Sequence, residues 1–266
     1  MPLQMSLMND AVSPRSGTGP DGKCFTEALE AFWARAAISK LEAKFELAQE
    51  MDVIPQLSVD ALRAIVLQYR YFTQAFITDL ATLVSRCPEG RLRSLLGQLV
   101  NEELGEGDPE EAHARLYDRF LESIGAIEPG TPVRQLRAAV HPRVRDLLAD
   151  LRDRTADRSP LYAIGMRGLG GECVCGVYFS VMHTHLRKHP FIVEHDSKID
   201  WKFWDIHAGH ADAEHNHLVR GAVAELLSGL EQEDAVDELA RGYDYGTAMW
   251  DAFWTTLYRD FGQQAS

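Results

Sequence analysis

The sequence is poor in the features that mark secreted, membrane-spanning or nucleic-acid-binding chains. Its four cysteines, Cys24, Cys87, Cys173 and Cys175, follow neither a zinc nor a disulfide-framework spacing, and Cys173-x-Cys175 is too tight for the usual redox pair. Reduced thiols in a cytoplasmic protein are therefore expected. No apolar run approaches membrane-spanning length. Positive charge is scarce: 27 Lys and Arg against 40 Asp and Glu leave a net charge of −13. No basic face offsets that charge, which argues against nucleic acid or an anionic membrane as a partner. Strand-like alternation and internal repeats are both missing. Residues 1–22 are rich in Ser, Pro and Gly without a secretion-type apolar core, and read as a disordered leader.

What remains is helical periodicity over residues 23–266, with 45% hydrophobic content, enough for a single large domain. Helices are expected over 25–48, over 58–86 with Ser58 as the cap, over 91–106, from Pro109 to Ile124, and over 131–154 with a kink at Pro142. A glycine-thinned buried helix over 161–185, a histidine-bearing helix over 199–230 and a closing helix with Trp250, Phe253, Trp254 and Leu257 in the core complete the pattern. The fold class is all-α, a bundle of seven or more helices.

Chemistry concentrates between Trp201 and Leu218, where four of the ten histidines sit: His207, His210, His215 and His217. Asp205, Asp212 and Glu214 are interleaved with them. Imidazole and carboxylate at helical spacing is ligand chemistry for first-row metals, although a solvated polar helix end has the same composition. On a helical projection Asp212 and His215 share the apolar side with Leu218, Val219 and Ala222, while His210, Glu214 and His217 turn outward. A carboxylate turned inward needs a cation or a hydrogen-bond network. His207 lies at the border, and a π-bulge between it and Asp212 would swing it inward.

Two further places supply candidates. Asn101 to His113 offers Glu102, Glu103, Glu106, Glu110 and Glu111 ahead of His113, which shares a face with Leu116, Tyr117 and Phe120. A lone histidine on an apolar face is also compatible with a satisfied core residue. Glu172 sits in an otherwise apolar segment, where it is either paired, metal-bound or capping a helix start.

Taken together, Glu-Glu-Leu-Gly-x-Gly-x5-His-x-x-Leu-Tyr, the distant inward glutamate, and Phe-Trp-x-x-His followed by Asp-x-x-His resemble the haem-oxygenase-like di-iron oxidases and oxygenases, whose superfamily includes the thiaminase-type fold. The resemblance covers about Ser58 to Leu230. It implies two Fe(II) ions, with O2 as co-substrate, in a haem-oxygenase-like bundle that forms a homodimer. It also implies the metal ligands: Glu103 bridging, His113 and Glu172 completing one iron, and His207, Asp212 and His215 from the last core helix. Asp79, Glu110 and His210 are weaker candidates. The sequence departs from the family pattern in that His207 precedes Asp212 by five positions rather than four, while His210-x3-Glu214-x2-His217 has the family spacing with Glu in place of Asp.

The implied reaction is oxygenation of a small polar substrate, with N-oxygenation of an amine or amino acid by way of a peroxo-di-iron(III) species as the leading expectation. Oxidative C–C cleavage of an amino or fatty acid is the alternative within the same chemistry. Lys198, Lys202, Arg167 and Arg220 lie near the proposed ligands in sequence and read equally as docks for a substrate carboxylate or as solvated charges. Two rival classes are a metal-free thiaminase-like hydrolase using Cys173 or Cys175, and a helical binding protein whose histidines are structural.

Overall fold

The computed structural model describes residues 25–46, 48–208, 210–230 and 233–262, with the side chains at 49, 133, 134, 137, 210–216 and 233 outside the description. The expected leader lies outside it as well. Among the described residues there are helices and no strands, so the all-α expectation holds. In chain order these are α1 (Phe25–Arg35), α2 (Ile38–Glu46), α3 (Gln49–Val53), α4 (Val59–Arg86), α5 (Arg91–Glu103), α6 (His113–Ser123), α7 (Val133–Ala138), α8 (Pro142–Asp157), α9 (Pro160–Ala163), α10 (Val174–Leu186), α11 (Pro190–His195), α12 (Lys202–His207), α13 (His210–Leu230) and α14 (Glu233–Gly262). A π-helical run, Ile164–Cys173, joins α9 to α10.

Most of the expected boundaries survive, and the departures have local causes. Ser58 caps α4 as anticipated, its hydroxyl accepting from the Ala61 amide at 3.2 Å. Pro142 separates α7 from α8 rather than kinking one helix, since it removes a helical amide and its ring crowds the preceding turn. Pro109 does not start α6, which begins at His113 after a turn. The histidine-bearing segment is two helices, α12 stopping at His207 and α13 starting at His210, and the π-bulge expected between His207 and Asp212 falls on a span that includes residue 209, outside the described residues. A widened helix does form in the glycine-rich stretch that leads to Glu172.

That placement follows from packing. An ideal Cβ on Gly165 would stand 2.0 Å from the Leu239 carbonyl oxygen, and one on Gly242 would stand 2.0 Å from that of Tyr162. The π-helical run at Gly165 and α9 at Tyr162 therefore touch α14 backbone to backbone, an approach that any larger residue would prevent. The core on which both rest is aromatic: Tyr69 of α4 stacks on Trp254 of α14 with ring centroids 5.7 Å apart, and Trp254 stacks on Tyr178 of α10 at 4.9 Å. α6 is fastened to α4 by the Arg70–Asp118 ion pair and by the Tyr117 hydroxyl donating to the Val66 carbonyl at 2.7 Å.

Gly165→Ala should therefore destabilise the protein by about 1–3 kcal/mol or more through overpacking. At roughly 2–4 °C per kcal/mol for a chain of this size, calorimetry should record a clear drop in the melting temperature. Gly168→Ala, whose Cβ would meet its nearest neighbours at 3.8 Å, should be tolerated. Equal melting temperatures for the two variants would contradict the backbone-contact account.

Candidate metal centre

Three elements deliver three ligand-type side chains to one place. Glu103 is the last residue of α5, whose end is closed by a Schellman turn: the Gly105 amide donates to the Glu102 carbonyl at 2.8 Å and the Glu106 amide to that of Asn101 at 2.9 Å. Gly105 makes this possible with φ +84, and a Cβ there would stand 2.1 Å from the Asp108 carbonyl oxygen. The turn leaves Glu102 and Glu103 at the negative end of a helix, where a carboxylate is disfavoured and a cation is attracted. His113 opens α6, its ring directed inward beside Leu116 and Tyr117, which are fully buried. His207 closes α12 and is buried among Phe203, Phe179 and His113.

Glu103, His113 and His207 each offer a ligand atom, and these atoms lie within 4.8 Å of one another. His113 Nδ1 is 3.1 Å from Glu103 Oε1, and the two imidazole rings are 4.8 Å apart. The remaining geometry suits a metal. His207 Nδ1 is 2.7 Å from the Phe203 carbonyl oxygen, so Nδ1 must carry the proton and Nε2 keeps its lone pair. Burial, followed by the neighbouring His113, pushes the His207 pKa down to about 4 against a weaker upward pull from Glu103. A neutral imidazole with an oriented lone pair, a second imidazole and a carboxylate form a donor set suited to iron, manganese or zinc.

These side chains open onto a cavity of about 390 Å³. Glu172, at the end of the π-helical run, lines it together with Cys175 and an apolar wall that includes Tyr69, Phe72, Phe76 and Phe203. Helical spacing puts Phe72 and Phe76 on one face of α4, but nothing in the sequence shows that this face borders a cavity. Cys175 was legible only as half of a pair. Its Sγ lies 3.4 Å from the Tyr69 hydroxyl, whereas Cys173 is buried.

The structure sets the weaker candidates apart. Asp79 is buried in an ion pair with Arg167, Nη2 to Oδ2 at 2.9 Å, and so belongs to the core rather than to the cluster. Glu110 faces solvent between Arg115 and Arg119, which hold its carboxyl below the usual range through hydrogen bonds. The side chains of Asp212, His215, Glu214 and His210 lie outside the described residues, and His217 is exposed. Of the cations expected to dock a carboxylate, Arg167 is held by Asp79, Arg220 donates to the Ala36 carbonyl, and Lys202 is paired with Glu111.

A sequence profile described as an iron-containing redox enzyme family matches residues 63–247. The chain belongs to that family. Known structures share the fold at low identity. A TenA homologue from Pseudomonas syringae pv. tomato superposes with a TM-score of 0.66 at 15% identity, covering 93% of this chain and 98% of its own. A CadD-like protein of unknown function from Nostoc punctiforme gives 0.61 at 17% identity, covering 91% and 95%. No curated protein sequence matches the chain. Among the described residues no helix is long and apolar enough to cross a membrane.

The depressed His207 pKa has a consequence for the metal-free protein. The unfolded imidazole titrates near its ordinary value of 6.5 and the folded one near 4, so protonation favours unfolding. The stability this group contributes is complete above pH 6.5 and is lost as the pH falls towards about 4. Over that window the melting temperature of metal-free wild type should fall more steeply than that of His207→Asn, whose amide can still donate to Phe203. Parallel pH profiles would show that His207 is not held neutral by its surroundings.

Proposed function

We propose that the chain is an O2-dependent non-haem di-iron oxygenase that transfers oxygen to an amine nitrogen. The observation that carries this reading is the convergence of Glu103, His113 and His207 on a cavity in a chain of an iron-containing redox family. Glu172, on the same cavity, is placed to serve the same metal centre, and Asp212 and His215 of α13 are the remaining proposed ligands. When bound, two Fe(II) ions supply the two electrons that, with two protons, convert O2 and an amine into a hydroxylamine and water.

The protein's own groups would serve that chemistry in defined ways. Glu103 and Glu172 offset the charge of the metal ions. His207 keeps its Nε2 lone pair available because Phe203 fixes its tautomer. Phe72, Phe76 and Phe203 exclude water from one side of the cavity, so that a bound amine meets little competing solvent.

A metal-free thiol hydrolase is the second reading, favoured by the exposure of Cys175 to the cavity and by its contact with Tyr69. Anaerobic reconstitution followed by rapid mixing with O2 separates the two. The oxygenase should retain about two irons per chain after desalting, as two-metal centres require. It should also consume O2 faster than free Fe(II) does, and His113→Ala should lose both properties. A protein that retains no iron, and whose activity disappears on Cys175→Ser, would overturn the proposal.

A further inference from the structure

Resting on the oxygenase reading, we propose that Tyr69 and Cys175 form a site of oxidative self-modification, at which O2 reduced in a cavity without substrate joins the Cys175 sulfur to the Tyr69 ring. The Tyr69 hydroxyl lies 3.4 Å from Cys175 Sγ, and both side chains line the cavity onto which Glu103, His113 and His207 open. No other phenol and no other thiol stands among the described residues of that lining.

Stability does not explain the pairing. A buried hydroxyl is ordinarily satisfied by a carbonyl oxygen, as the Tyr117 hydroxyl is by that of Val66 at 2.7 Å. Sulfur is a weak donor and a weak acceptor, so the contact adds little to the fold. A phenol and a thiol are, by contrast, the most readily oxidised groups of this wall.

Both groups are held for such a reaction. Tyr69 lies in α4 with its ring stacked on Phe72 at 5.6 Å and on Trp254 at 5.7 Å, and Phe179 meets it edge-on at 4.7 Å. Cys175 is in the first turn of α10, directly after the π-helical run that Gly165 and Gly246 let press against α14. Two groups fixed side by side need little further ordering to react. Cys173 lacks this placing. It is buried, its sulfur lies 3.9 Å from the Gly168 carbonyl oxygen, and it is not part of the cavity lining.

The reactants are those of the proposed function. The S–H bond of Cys175 and the C–H bond of the ring carbon next to the Tyr69 hydroxyl break, and a C–S bond forms. Two protons and two electrons leave the side chains. Two Fe(II) ions supply two more electrons and solvent two more protons, so that one O2 becomes two waters and the ions end as Fe(III). With substrate bound the same oxidising equivalents go to the amine nitrogen, so the link records turnover that misses its substrate.

The test is mass spectrometry of protein reconstituted anaerobically with Fe(II), exposed to O2 without substrate, and then treated with a thiol reductant to remove any disulfide. The intact mass should fall by two hydrogens per linked chain. Trypsin should release residues 64–70 and 168–187 as one species, with fragment ions placing the bond between Tyr69 and Cys175. The linked share should grow with successive additions of Fe(II) and O2, and should be absent from metal-free and Zn(II)-loaded protein exposed to O2. Tyr69→Phe, which keeps a ring in the stack, and Cys175→Ser should each abolish the link, whereas Cys173→Ser should retain it. An iron-loaded chain exposed to O2 whose Tyr69 and Cys175 stay unlinked would overturn the proposal. So would a sulfinic acid at Cys175 in place of the bond, or a link that forms equally without metal. Iron content is measured on the same samples: a chain that retains no iron sinks the oxygenase reading and this proposal with it, while an iron-loaded chain without the link sinks the proposal alone.

Discussion

Two imidazoles and a carboxylate held within 4.8 Å, beside an aromatic core, constitute the constraint around which this bundle is built. Burial strips hydration from the ionisable groups, and the C-terminal end of α5 adds its own negative potential to that of Glu103. His207 responds by remaining neutral, with its proton on the nitrogen that faces Phe203. A cation placed among these donors would relieve every one of these costs. The grouping therefore reads as a site shaped for a ligand rather than as a device for stability.

Holding the three groups in register falls to elements that touch elsewhere. Glu103 depends on the Schellman turn at Gly105, His113 on the α4–α6 contacts through Arg70 and Tyr117, and His207 on the short α12 with its anchor between Lys202 and Glu111. The π-helical run completes the arrangement from the other side. Because Gly165 and Gly246 let it lie directly on the backbone of α14, Glu172 reaches the cavity from a helix that is widened yet tightly supported, and Cys175 follows from the start of α10. The aromatic stack from Tyr69 through Trp254 to Tyr178 fills the volume behind it.

Much of this was legible in the sequence. Apolar periodicity is a local property, so α4, α6 and α14 could be read directly, and the inward face of His113 followed from its spacing to Leu116, Tyr117 and Phe120. The joining of Glu103, His113 and His207 came from a resemblance between motifs far apart in the chain, which periodicity alone does not provide. What the sequence concealed depends on partners from other elements. Asp79 and Arg167 looked like a ligand and a substrate dock when taken singly, yet each neutralises the other in the core. The break after His207 was not foreseen in a segment read as one helix, and the π-helical run was not foreseen because it depends on a tertiary contact: the widened turn forms where glycines allow close approach to α14.

The most direct measurement is a crystal structure of the anaerobically Fe(II)-loaded protein, with anomalous difference maps recorded on either side of the iron absorption edge. Two iron peaks should appear in the cavity, with Glu103, His113, Glu172 and His207 among the side chains within bonding distance of them. An empty cavity, or iron found only at surface carboxylates such as Glu110, would contradict the account.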